Sequence, residues 1–169
     1  MSITSLTQEL KDKTIVSITN GAIVGQVMDV LIDPDALQVA ALVTSKGGLL
    51  KRGETEAIPA DQVQVWGYDV ILVSGPNVVV KEDQLPGLEK WLSASDRIKG
   101  YTVVSTDGTR IGELNDVTID AQGQVVAYDL AQVFVEGPVA ESKRIAAELT
   151  HSLGPDVLIV NASSESQMA

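Results

Sequence analysis

The order of apolar and polar residues predicts short β-strands along most of the chain. Side chains alternate in character over residues 27–32, and a second strand-length apolar run follows at residues 39–44. Alternation with a period of two places every second side chain on one face of a sheet. We therefore expect an all-β protein, in which the side of the first strand that bears Met28, Val30 and Ile32 faces the core.

This strand pattern occurs twice. Residues 19–25 return as residues 106–112, 87 positions later, and the same spacing relates residues 67–73 to residues 154–160. Two matches at one spacing predict two copies of one module. Each copy contains five or six short strands, which we expect to form a closed or nearly closed barrel that hides its sheet edges.

Many of the matched positions are residues that shape turns and strands. Asn20-Gly21 and Asp107-Gly108 are tight-turn dipeptides, because the central residues of such turns need a positive φ. Recurring carboxylates beside turns are expected to accept hydrogen bonds from backbone amides. The residues to which we assign this architectural role are Gly21, Gly25, Asp29, Gly67, Gly108, Gly112, Asp116 and Gly154.

A segment of different character separates the two copies. Leu85, Leu88, Trp91 and Leu92 recur at near-helical spacing and predict a short amphipathic helix. Its apolar side is expected to pack on one or both barrels, the alternative being a foreign protein. The expected organisation is a first barrel over residues 1–76, a linker with the helix over 77–100, a second barrel over 101–162 and a disordered tail over 163–169.

Two longer motifs resemble a known family. The stretch G-A-I-V-G-Q-V-M-D-V-L-I-D, followed by A-I-P-A-D-Q-V-Q-V-W-G-Y-D-V-I-L-V, is similar to the PRC-barrel domain, and the second copy has a weaker form of both. The family includes the cytoplasmic part of the photosynthetic reaction-centre H subunit and the second domain of the ribosome maturation factor for the small subunit. The resemblance implies a docking or assembly module. The second copy departs from the first in having Ala146 for Pro59 and Pro155 for Tyr68.

The composition excludes several kinds of catalytic and metal-binding site. The chain has no cysteine and one histidine, His151, so thiol nucleophiles and disulfides are excluded and zinc sites lack ligands. The net charge of −11 argues against direct binding of nucleic acid. We expect no enzyme activity, no cofactor and no metal. Residues 1–13 do not resemble a signal peptide and no apolar run is long enough to span a membrane, so we expect a cytoplasmic protein.

The remaining candidates are residues that bind a protein partner. They are Leu49, Leu50, Lys51 and Arg52 in a loop of the first copy, Trp66, and Phe134 in the second copy. The alternative is that these side chains fold back onto the barrels. The function we expect is that of a non-catalytic adaptor or assembly factor, for example in a photosynthetic complex. A small-subunit maturation factor that contacts a basic ribosomal protein, and a small-molecule or cation-binding protein that uses the groove between the barrels, remain as alternatives.

Overall fold

The computed structural model describes residues 4–45 and 55–161 of the 169-residue chain. The strands are β1 (Ser5–Leu6), β2 (Thr14–Ser17), β3 (Ile23–Asp33), β4 (Gln38–Ser45), β5 (Glu56–Pro59), β6 (Val63–Trp66), β7 (Val70–Val73), β8 (Val80–Lys81), β9 (Leu92–Ser93), β10 (Thr102–Ser105), β11 (Arg110–Ile119), β12 (Val125–Val133), β13 (Arg144–Ala146), β14 (Thr150–Leu153) and β15 (Val157–Val160). The all-β class predicted from the alternation of side chains is confirmed.

Short helical pieces connect these strands. The α-helices are α1 (Thr7–Leu10) and α2 (Pro138–Ser142), the 3₁₀ turns are Ala60–Gln62, Glu82–Gln84, Leu88–Lys90 and Ala147–Leu149, and one π-helical turn is Ala94–Ile98. Within residues 4–45 and 55–161, no helix has the length and apolar character needed to cross a membrane. The loop residues 49–52 and the tail predicted at residues 163–169 lie outside the described residues.

The strands form two sheets with the same internal order. The first sheet runs β6-β7-β2-β3-β4-β5-β8, with β9 added on β3, and the second runs β14-β15-β10-β11-β12-β13, with β1 added on β11. In each sheet the first and last main strands of the repeat are neighbours, because β2 pairs in parallel with β7 and β10 pairs in parallel with β15. The repeat in the sequence is therefore a repeat of topology.

Single-residue insertions interrupt the constant spacing between the copies. The hairpin turn before β3 is one residue longer than the turn before β11, and the additional residue is Ile18. The turn between β3 and β4 is also one residue longer than its counterpart between β11 and β12. Leu37 ends that longer turn with a φ of 51°, where the second copy has Gly123 at 78°. The spacing of 87 thus holds for most strands but not for β2 and β4.

The buried face of β3 agrees with the alternation only in part. Val30 and Ile32 are buried as predicted. The pairing with β4 shifts register between Val27 and Asp29, and this irregularity reverses the faces on its N-terminal side. Val27 is consequently in the core and Met28 is 40% exposed, so the expectation that Met28 faces the core is wrong.

The segment between the copies covers the outer face of the first sheet. Leu85, Leu88 and Trp91 pack with Leu31 and with small apolar residues of the sheet such as Ala41. They form an apolar cluster that is separate from the main core. The predicted short helix is present only as separate turns, since Gly87, with a φ of 94°, divides the segment. The expectation that Leu92 belongs to the helix is wrong, because Leu92 lies in β9 and pairs with β3. The apolar side chains therefore pack on a barrel, as predicted, but from single turns.

The corresponding face of the second sheet is polar. Thr118 and Arg144 take the places that Leu31 and Ala57 have in the first sheet. Thr118 donates a hydrogen bond to Asp129 across the strands at 2.7 Å. A polar face has no need of an apolar cover, which explains why the segment between the copies packs on the first sheet.

Candidate functional site

The beginning of each copy lies on the sheet of the other copy. Residues 5–10 and 92–98 are called the opening segments, because they precede the repeated strands. Strand β1 pairs with β11, with Ser5 opposite Ile119, and strand β9 pairs with β3, with Leu92 opposite Ile32. Both pairs are related by the 87-residue spacing of the repeat. The exchange of opening segments is therefore reciprocal.

A buried carboxylate on β11 holds the first opening segment. Asp116 accepts hydrogen bonds from the Thr7 hydroxyl and from the Gln8 backbone N–H, the latter at 2.9 Å. It also accepts the Val117 backbone N–H at 2.7 Å. Burial raises the pKa of the Asp116 carboxyl, while the hydrogen bonds from Thr7, Gln8 and Val117 act in the opposite direction. The carboxylate thus binds both a side chain and the first turn of α1.

The equivalent carboxylate on β3 holds the second opening segment. Asp29 accepts a hydrogen bond from the Ser93 hydroxyl and one from the Ser95 backbone N–H at 3.3 Å. Its own neighbour Val30 donates a backbone N–H at 2.8 Å. The spacing along the chain indicated two matching aspartates but could not indicate that their donors come from the opposite copy.

The junction between the opening segments forms a partly open pocket of about 330 Å³. Its lining includes Asp29, Asp116, Lys11 and Lys99, and residues of both copies contribute to it. It lies in the groove between the barrels, where the alternative of a small-molecule or cation-binding protein placed its ligand. The carboxylates of Asp29 and Asp116 in this groove already accept hydrogen bonds from the opening segments. Among the residues that the structure describes, no group of three or more His, Asp or Glu side chains is arranged to hold a metal ion.

A second contact joins the copies at their central hairpins. Gln38 and Gln124 form an isolated antiparallel bridge. The side-chain amide of Gln124 donates a hydrogen bond to the side-chain oxygen Oε1 of Gln38 at 2.8 Å. The Val39 N–H donates to the Gly123 carbonyl at 2.8 Å, and the Val125 N–H donates to the Leu37 carbonyl at 2.9 Å. These two bonds are equivalent under exchange of the copies, so the junction has approximate two-fold symmetry.

An apolar row crosses the outside of the first sheet. We call it the outer stripe, and it consists of Ile23, Val16, Leu72 and Val65. The four are cross-strand partners in succession, since Val16 lies opposite both Ile23 and Leu72, and Leu72 lies opposite Val65. Ile23 is 74% exposed and Val65 is 43% exposed, while the two central residues are half-buried. The stripe is therefore accessible at both ends.

The second sheet has a different row at the same place. Arg110 and Ser152 replace the two exposed residues of the stripe, and Val104 and Ile159 retain the apolar character of its centre. The Arg110 guanidinium lies 4.9 Å from the centre of the Phe134 ring. The outer stripe is thus a feature of the first copy alone.

The residues predicted to bind a partner have three different locations. Leu49 to Arg52 fall in the undescribed range 46–54. Trp66 is half-buried and packs against the core, and Phe134 is 45% exposed beside Arg110. Sequence reasoning missed the outer stripe, although one signal was present in the repeat, which has arginine at the position of Ile23.

Four of the six glycines assigned to architecture have one of two kinds of surroundings. Gly21 and Gly108 have φ values of +70° and +87° in their hairpin turns. Gly25 lies against the neighbouring strand, where a Cβ would be 2.9 Å from the Ser45 carbonyl oxygen, and a Cβ on Gly112 would overlap the Gln132 carbonyl oxygen. Each position therefore has a backbone reason for glycine.

Comparison with known proteins gives one family and one relative. The family model described as PRC-barrel domain matches residues 5–80 and again residues 92–167. An uncharacterized protein of Clostridium acetobutylicum is 30% identical over 77 residues, which are 44% of this chain and 88% of that protein. That relative is consequently about as long as one of the two copies. Both stretches that match the family begin at the first residue of an opening segment.

Proposed function

Because the chain belongs to the PRC-barrel domain family, we propose that it is a non-catalytic adaptor or assembly factor that binds a protein partner. One observation carries this proposal: the outer stripe is apolar and exposed at both ends in the first barrel, whereas the second barrel has Arg110 and Ser152 there. Exposed apolar rows with polar surroundings are typical of protein docking sites. The first barrel is accordingly the one that docks.

The electrostatic character of the chain defines the partner further. The net charge is −11, with 12 basic and 23 acidic residues. Complementary charge accelerates encounter and disfavours wrong partners. The proposed partner therefore presents apolar side chains surrounded by lysine and arginine, and it is a protein and not a nucleic acid. The complex forms in the cytoplasm.

The repeat supplies the variant that tests the stripe. Ile23→Arg/Val65→Ser gives the first barrel the two residues that the second barrel already has at these places. The matched control is Ser152→Arg, which adds the same charge to the equivalent surface of the second barrel. Partners are captured from a lysate with each protein, and the affinity of the captured partner is measured by titration.

The expected result is selective. Wild type and Ser152→Arg capture the same partner, and Ile23→Arg/Val65→Ser binds it at least about tenfold more weakly, which corresponds to ~1.4 kcal/mol. Thermal unfolding should be similar in all three proteins. Equal affinity of the partner for both variants would reject the outer stripe as the docking site. The identity of the captured protein then distinguishes a photosynthetic assembly from a basic protein of the small ribosomal subunit.

A further inference from the structure

We infer that the docking surface around Asp116 on β11, and its counterpart around Asp29 on β3, recognises the opening segment of another PRC-barrel unit, so that the two barrels are obligate partners. In this chain the two units are joined covalently. The kind of partner that fits either surface is a second unit of the same family.

By sequence, each opening segment belongs to the unit that follows it in the chain, although it packs on the sheet of the other unit. The two stretches that match the family begin at Ser5 and at Leu92, the first residues of β1 and β9. Each unit therefore includes an opening strand as part of its own sequence, yet that strand pairs with the sheet of the other unit. A unit on its own would lack the second sheet with which this segment pairs here.

The two docking surfaces use the same three contacts. A two-residue strand pairs with the long central strand of the other sheet. The aspartate of that strand accepts a hydroxyl and a backbone N–H, and the two N–H donors, Gln8 and Ser95, are themselves equivalent in the repeat. An apolar anchor follows in each segment, Leu10 in the first and Ile98 in the second, with exposures of 1% and 0%.

The two units also share their interior. Leu10, Ile98 and the buried faces of both sheets belong to one continuous apolar cluster. The opening segments lie between β3 and β11, since α1 and the π-helical turn each contact both strands. Separation of the units would expose this shared surface to water, which is unfavourable in proportion to its apolar area. The unfolding of one unit should therefore unfold the other.

The positions of the two tryptophans allow this to be tested in the full-length chain. Trp91 packs on the first sheet, whereas Trp66 also contacts Gly123 of the second unit, so every protein in this test, the wild-type reference included, carries Trp66→Phe. Tryptophan fluorescence then reports on the first unit while far-UV circular dichroism reports on both. Leu158→Ala removes a fully buried side chain from the second unit. Urea unfolding is then followed with both signals, and Ser152→Ala on the same sheet is the control.

The expected result is one transition whose midpoint falls equally in both signals for Leu158→Ala and stays at the wild-type value for Ser152→Ala. A fluorescence midpoint that stays at the wild-type value, while circular dichroism shows a separate early transition, would overturn the inference. Asp116→Asn is a milder second variant, with the exposed Glu136→Gln as its control. It should lower the fluorescence midpoint although Asp116 lies in the second unit, and an unchanged midpoint would also count against obligate pairing.

Discussion

The indole ring of Trp66 lies over Gly123, so that β6 of the first barrel meets the central hairpin turn of the second. A Cβ on Gly123 would be 3.2 Å from Cζ2 of Trp66, and the Gly123 carbonyl accepts the Val39 N–H from the first barrel. Gly123 also has a φ of +78°, which side chains with a Cβ seldom adopt. Trp66 is thus in contact with the other barrel across the junction.

Substitution of Gly123 should weaken the protein at this contact. Gly123→Ala has to place a Cβ in the left-handed region, which costs roughly 1–2 kcal/mol, and the same Cβ crowds the Trp66 ring. We expect a lower urea midpoint and an altered tryptophan emission in the folded state. Gly75→Ala is the control, because a Cβ there meets nothing within 4 Å. Equal midpoints for the two variants would contradict this reading of the junction.

Two glycines that match in the repeat should respond differently to the same substitution. A Cβ on Gly67 would overlap the Val70 carbonyl oxygen, whereas the nearest atom to a Cβ on Gly154 is the Val157 carbonyl oxygen at 3.5 Å. Overpacking against backbone typically costs about 1–3 kcal/mol. We expect Gly67→Ala to lower the unfolding free energy by about 2 kcal/mol and Gly154→Ala to change it by less than about 0.5 kcal/mol. A similar loss of unfolding free energy in both variants would contradict the prediction that the space around each glycine determines the effect.

The stability difference between wild type and Asp116→Asn should depend on pH. Burial raises the pKa of Asp116 in the folded protein, so the folded state keeps this proton to a higher pH than the unfolded chain does. The proton-linked stabilisation is present at acid pH and is lost as the pH rises through the raised pKa. The unfolding free energy of wild type minus that of Asp116→Asn should therefore fall as the pH rises from the ordinary titration range of an aspartate through the raised pKa of Asp116. A difference that is constant over this range would be inconsistent with the burial of a titrating carboxyl.

Asp107, a carboxyl whose pKa is shifted in the opposite direction, serves as the control for this titration. The hydrogen bond from the Ser105 hydroxyl, together with that from Thr109, lowers the pKa of Asp107. A lowered pKa contributes stability above the carboxyl's ordinary titration range, and this contribution is lost as the pH falls. The difference between wild type and Asp107→Asn should therefore rise with pH in the same urea experiments.

Local features of the sequence predicted most of the fold. Alternation identified the strands, and the paired Asn-Gly and Asp-Gly turns identified the hairpins, because both depend on neighbouring residues only. The prediction for Met28 failed because the irregularity in β3 depends on how β4 pairs with it. The four apolar residues before β10 were recognised, but their separation follows from tertiary packing: Leu88 lies in a 3₁₀ turn that packs on the outer face of the first sheet, and Leu92 lies in β9, which pairs with β3.

The candidate sites were predicted less completely than the fold. The difference between Ile23 and Arg110 is present in the sequence, but their shared place on the outside of a sheet depends on strand register. The hydrogen-bond donors that the opening segments provide to Asp29 and Asp116 are more than sixty residues away along the chain. Contacts at such separation leave no local pattern.

By itself the sequence determined that this protein is all-β, that its module occurs twice, and that turns recur where glycine follows asparagine or aspartate. Only the tertiary structure decided which sheet receives each opening segment. The two copies have nearly the same strand and the same aspartate, so residues 5–10 could pair with β3 or with β11 without any change in local pattern. The choice is made by packing, because the segment that lies between the two sheets buries its apolar anchor against both of them.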